Sequence, residues 1–181
     1  MKELGTLGNE ERTIVEERRR SGYRVERLSR FGGELEPQLR ALVDRLVPGV
    51  PSDIDLAAFV DSHAEHSLGR GDRAPGLPTV AELLRQGLEV LARRGFAALP
   101  VHEQDALIGR MRRGQADAEL GLSAQEFVDR LLVKALAGYL AHPAIWERIG
   151  FNGPAYPEGY SWIAAGATAR RHEGFPGAGR L

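Results

Sequence analysis

The chain has 181 residues, 43% of them hydrophobic and 27% charged, which suits one ordinary domain with a real core and excludes a disordered polymer. Its 24 basic and 25 acidic residues leave a net charge of −1, so there is no global bias toward nucleic acid or an anionic membrane. Cysteine is absent, which removes disulfides, thiolate zinc sites, iron–sulfur ligation and cysteine nucleophiles together.

Residues 1–33 are rich in Glu and Arg and poor in large aliphatics. A helix over residues 9–20 has charges at i,i+4 spacing, but only Ile14 and Val15 to anchor it. The segment reads as a solvated or partner-dependent arm ending at Gly32 and Gly33. Arg18-Arg19-Arg20 precede charged residues and no apolar run, so no export signal is read and a cytoplasmic location is expected, with co-export by a partner as the periplasmic route. No apolar stretch approaches the ~18 residues that span a bilayer.

The helical body is expected over residues 34–141. Leu35, Leu39, Leu42, Val43 and Leu46 share one stripe, and Pro48-Gly49 and Pro51 stop that helix. Ser52 or Asp53 is expected to cap the next, which presents Leu56, Phe59, Val60, His63 and Ala64 on one face. Residues 69–78, GRGDRAPGLP, read as a loop. TVAE at 79–82 is a capping box, followed by an apolar face of Val80, Leu83, Leu84, Leu88 and Leu91 that ends at Gly95. A short helix is expected near Pro100, and a second box, SAQE at 123–126, opens a long helix over residues 124–141. The fold class is all-α, an irregular orthogonal bundle of about five helices.

Residues 142–181 form a Gly/Pro-rich aromatic segment. Pro143 disfavours helix at His142 and suits the first turn of a short helix with Trp146 and Ile149 on one face and Gly150 as terminator. Two turns follow, at Asn152-Gly153-Pro154 and around Pro157-Glu158-Gly159. Trp146 and Phe151 are expected to fold back on the bundle. Tyr156, Tyr160 and Trp162 have little local means of burial and suit a protein interface, where aromatic anchors bury large area at small entropic cost. His142 and Trp146 complete the expected partner interface.

No catalytic or cofactor motif stands out. His63 and His66 lie at i,i+3 with Asp61 and Glu65 beside them, a workable but unspecific metal spacing; His102, His142 and His172 are isolated. His102-Glu103-Gln104-Asp105 is more simply the acidic first turn of a helix. No nucleophile elbow or phosphate loop is present, and the paired arginines are scattered among acids.

Tyr139, His142-Pro143, Trp146, Ile149-Gly150 and Gly153-Pro154-x-Tyr156-Pro157-x-Gly159-Tyr160 resemble the C-terminal signature of the gluconate 2-dehydrogenase subunit 3 family. Residues 95–114, GFAALPVHEQDALIGRMRRG, resemble that family's segment before its last long helix, and residues 42–48 resemble its opening helix. The likeness covers about residues 35–162.

The resemblance implies a non-catalytic accessory subunit without a cofactor of its own. Its partner would be a large FAD-dependent oxidoreductase subunit of the GMC type acting on sugars or sugar acids, with a cytochrome c subunit completing the complex. It implies a chaperone-like role in folding, stability or export of the flavoprotein. Many members bear a twin-arginine signal, and this sequence departs from them there. Two other readings stay open: a small helical metal-dependent enzyme using His63 and His66, and a helical regulatory binding protein, for instance one that binds DNA.

Overall fold

The computed structural model describes residues 9–65 and 78–151. The described residues form eight α-helices and no strand, so the chain is all-α. These are α1 (Asn9–Ser21), α2 (Leu35–Leu46), α3 (Leu56–His63), α4 (Val80–Arg93), α5 (Val101–Arg112), α6 (Asp117–Leu120), α7 (Ala124–Ala141) and α8 (Pro143–Ile149). A single 3-10 turn, Phe96–Ala98, joins α4 to α5. The five stripes of the sequence reading correspond to α2, α3, α4, α5 and α7, and α1, α6 and α8 raise the count.

Helix α7 is the axis of the body, packing against α2, α3, α4, α5, α6 and α8. Its inward face carries Phe127, Val128, Leu131 and Ala135, all buried. Two glycines set how close its neighbours come. A Cβ on Gly87 of α4 would lie 2.4 Å from the Phe127 ring, and one on Gly138 of α7 would lie 2.5 Å from the Phe59 ring. Each aromatic ring therefore occupies the place of a missing methyl group, which close-packed interiors exploit.

The helix starts differ in an instructive way. Thr79 caps α4 as expected, its hydroxyl accepting from the Glu82 amide at 3.3 Å. Helix α3 is capped by Asp55, whose carboxylate accepts from the Ala58 amide at 3.0 Å, and not by Ser52 or Asp53. Arg40 of α2 reaches the same carboxylate at 3.0 Å, so the cap is also an inter-helix tie. The expected SAQE box does not form. Ser123 makes no side-chain cap, Asp117 of α6 accepts from the Ala124 amide at 3.0 Å, and Glu126 pairs with Arg130 instead. A short preceding helix supplies from a distance the acceptor that the box would have supplied locally.

Two buried glutamines fix the turn at Phe96–Ala98. Gln38 accepts from the Ala97 amide at 2.8 Å, and Gln104 donates to the Leu99 and Phe96 carbonyls at 3.0 and 3.2 Å. Phe96 is thereby held in the core with no exposed surface.

The expected N-terminal arm is packed where it is described. Val15, Leu28 and Phe31 are buried, while Ile14, the other expected anchor, is exposed. The backbone amides of residues 29–31 are gathered by one carboxylate. Asp61 of α3, 3% exposed, accepts from the Ser29 amide and hydroxyl (2.9 and 3.0 Å), the Arg30 amide (2.9 Å) and the Phe31 amide (2.7 Å). Successive backbone N–H groups converging on one anion form a nest, here closed by an internal side chain.

Candidate functional site

The site positioned by this frame is the corner where α1, α7 and α8 meet. Helix α7 stops because Pro143 follows His142 and forces it into extended backbone, φ −86° and ψ 130°. Helix α8 restarts at once with Pro143 in its first turn, and Gly150 ends it at φ 71°.

His142 sits at the break with no exposed surface. Its Nδ1 accepts from the Ala144 amide at 3.2 Å and caps α8, and its Nε2 lies 3.1 Å from the Arg18 carbonyl. One nitrogen must accept and the other must donate, so the neutral imidazole protonated at Nε2 satisfies both. Burial pushes its pKa below the ordinary histidine value, against a smaller opposing pull from the Arg18 carbonyl. Arg18 returns the contact, its guanidinium donating to the Ala141 carbonyl at 3.1 Å. A cation thus meets the C-terminal end of α7, where the helix dipole favours it.

Tyr23 completes the interior of the corner. Its hydroxyl donates to the Gly138 carbonyl at 2.9 Å, and its ring packs between Phe59 and His142 with centroids at 4.9 and 5.4 Å. Burial raises its pKa to about 12. Tyr23 adopts φ 65°, and it follows Gly22 at φ 58°. A Cβ on Gly22 would fall 1.7 Å from the Asp53 carbonyl oxygen, so that turn accepts only glycine.

Trp146 is buried against Val15 of α1, and its indole N–H donates to the Leu140 carbonyl at 2.6 Å. Phe151 stands edge-on to the same indole at 5.6 Å while remaining exposed. Ile149 is exposed, and Ile145 takes the buried position beside Trp146. The expected fold-back of the aromatic stretch is therefore present for Trp146, and Phe151 touches it from the rim.

Of the expected interface residues, the structure places His142 and Trp146 inside the corner. Tyr156, Tyr160 and Trp162 lie outside the described residues. Arg18, Gly22 and Tyr23 join the site only in the structure. No local pattern marks them, since each acts on a residue far along the chain.

The histidines weighed as metal ligands are arranged otherwise. His63 stacks flat on Phe59 at 4.0 Å, with Nδ1 near the Phe59 carbonyl and the Ser62 hydroxyl. Asp61 is committed to residues 29–31, Glu65 pairs with Arg30, and His66 lies outside the described residues. Among the described residues no group of three or more His, Asp or Glu gathers as metal ligands do. No helix among them is long and apolar enough to cross a membrane.

Comparison with curated proteins and with solved structures returned no match. Comparison with protein families returned gluconate 2-dehydrogenase subunit 3 over residues 36–153, from the start of α2 past the end of α8. The match takes in α2 to α8 with the break at His142, while α1 of the corner precedes it; it covers well over half of the chain, and on that ground the chain belongs to the gluconate 2-dehydrogenase subunit 3 family.

Proposed function

We propose that this chain is the non-catalytic small subunit of a sugar or sugar-acid dehydrogenase complex. It binds a large FAD-dependent oxidoreductase subunit of the GMC type and stabilises, or helps mature, its flavin-bound fold. FAD belongs to the partner, and a cytochrome c subunit is a further member of the complex.

The observation that carries this reading is the build of the α8 corner. Its polar groups are spent on holding α1, α7 and α8 together, while Ile149 and Phe151 face outward at the point where the chain enters its aromatic segment. A rigid, internally satisfied corner that presents apolar side chains suits recognition of another protein. Tyr156, Tyr160 and Trp162 act as the direct anchors, and His142 and Trp146 fix the direction in which they are presented. Binding only the folded partner stabilises it by mass action.

Co-expression with a GMC-type flavoprotein tests this. A yellow complex containing both chains is expected, and Tyr160→Ala and Trp162→Ala should each weaken it by more than about 1 kcal/mol. Unchanged affinity in both variants would remove the interface assignment. A colourless chain that ignores such flavoproteins would remove the function.

A further inference from the structure

A cavity of about 270 Å³ opens between α2 and the segment that leads into α3. One wall is the α2 face of Arg40, Val43 and Asp44, and the other is the stretch from Val50 to Ala57. Its lining is apolar where it is deepest, since Val43, Ile54, Leu56 and Ala57 are buried. Pockets for drug-sized ligands run from about 300 to 1,000 Å³, so this one has room for a molecule of about amino-acid size.

The walls are held by bonds of their own. The Ile54 amide donates to the Pro51 carbonyl at 3.0 Å, and the Asp55 amide donates to the Gly22 carbonyl at 2.7 Å. Arg40 is taken up by Glu36 and Asp55. Two exposed charged groups of the lining are left over, Arg24 and Asp44. Arg24 is drawn to the cavity by donating from one guanidinium nitrogen to the Ser52 carbonyl at 2.8 Å, and it forms no ion pair among the described residues. The Asp44 carboxylate accepts no hydrogen bond among them. Partial burial pushes the Asp44 pKa up, against the smaller pulls of Arg40 and Arg45. Such a carboxylate gains from any donor brought to it, most of all a charged one.

These leftovers select by charge. A simple anion drawn to Arg24 meets Asp44, and a simple cation drawn to Asp44 meets Arg24, each with like-charge repulsion. A molecule carrying both charges satisfies both groups. We propose that this cavity binds a small zwitterion of the α-amino-acid class, with its ammonium on Asp44, its carboxylate on Arg24 and an aliphatic side chain against Val43, Val50 and Ile54. The inference does not rest on the flavoprotein reading, and it concerns a face of α2 remote from the α8 corner.

The test uses the full-length chain and L-leucine as the probe, read by amide chemical shifts. Saturable shifts at residues 43, 44, 50 and 54 are expected, with a Kd on the order of 1 mM. Leucinamide, which lacks the carboxylate, and 4-methylpentanoate, which lacks the ammonium, should each bind at least about tenfold more weakly. Asp44→Asn should cost leucine about tenfold while leaving 4-methylpentanoate unharmed, and Arg24→Gln should do the same with leucinamide in its place. Absence of saturable shifts at about 20 mM leucine would overturn the proposal. So would equal binding of the three compounds, or leucine affinity that neither substitution changes.

Discussion

The body around α7 and the corner at α1 and α8 are held by different physics. In the body, α3 and α4 approach α7 through missing side chains, Gly138 under Phe59 and Gly87 under Phe127, and the contacts are apolar. At the corner, the contacts that define the geometry are hydrogen bonds between groups far apart in sequence, namely Arg18 with Ala141, His142 with Arg18, Tyr23 with Gly138 and Trp146 with Leu140. Apolar close packing is insensitive to pH and intolerant of added volume. A polar corner differs in the first respect, since its hydrogen bonds depend on the protonation of one histidine. The segment of residues 28–31 belongs with the corner in this respect, being attached by polar contacts to Asp61, although it then delivers Phe31 to the core.

That contrast can be broken in stages. The largest effect should come from Asp61→Ala. It leaves three backbone amides and a hydroxyl without their acceptor, at about 1–3 kcal/mol for each that stays buried and unpaired. Relaxation of the loop limits the total, and a loss of about 3–4 kcal/mol in denaturant unfolding is expected. A loss under 1 kcal/mol would mean the nest contributes little.

Next comes Gly138→Ala. The added methyl would sit 2.5 Å from the Phe59 ring and force α3 and α7 apart, at about 1–3 kcal/mol. The same shift would move the Gly138 carbonyl away from Tyr23, so the body and the corner should respond together. Chemical shifts of Tyr23 and Trp146 that stay fixed while stability falls would show the two regions to be uncoupled.

The smallest effect is that of acid on His142, whose folded pKa is depressed. The unfolded chain then binds more protons than the folded one over the interval between that depressed value and the ordinary ~6.5. Stability should therefore be undiminished above about pH 6.5 and should fall as the pH is lowered through that interval. Denaturation midpoints at pH 7.5 and 5.5, compared with those of His142→Gln, isolate this part. A variant with the same slope as the parent would assign the pH dependence to other groups.

The sequence was most informative where structure is local. The stripes of α2, α4 and α7 are readable because 3.6-residue periodicity needs no knowledge of the partner face, and Thr79 caps α4 with a group three residues away. Reading failed where a distant group intervenes. The sequence points to Ser52 or Asp53 as the cap of α3, yet Asp55 serves, held in place by Arg40. SAQE looked like a box, yet Asp117 of an unforeseen four-residue helix serves that start. The charged residues 1–33 looked solvated because their few apolar side chains form no stripe, and Phe31 is drawn in by a carboxylate thirty positions later. For the candidate site, the break at His142-Pro143, the restart at Pro143 and the stop at Gly150 were all legible. The burial of His142 was not, because its second partner is the Arg18 carbonyl.

The pairing of Arg18 with Ala141 and His142 joins positions more than a hundred residues apart, and it has a bearing on how the molecule is made. During synthesis α1 emerges well before α7, but its resting place does not exist until α7 has left the ribosome and turned at Pro143. Helix α1 must therefore wait for α7 and α8. Whatever the corner recognises can be met only once α7 and α8 have been made, so assembly on a copy that stops short of them is disfavoured by the wiring of the fold itself.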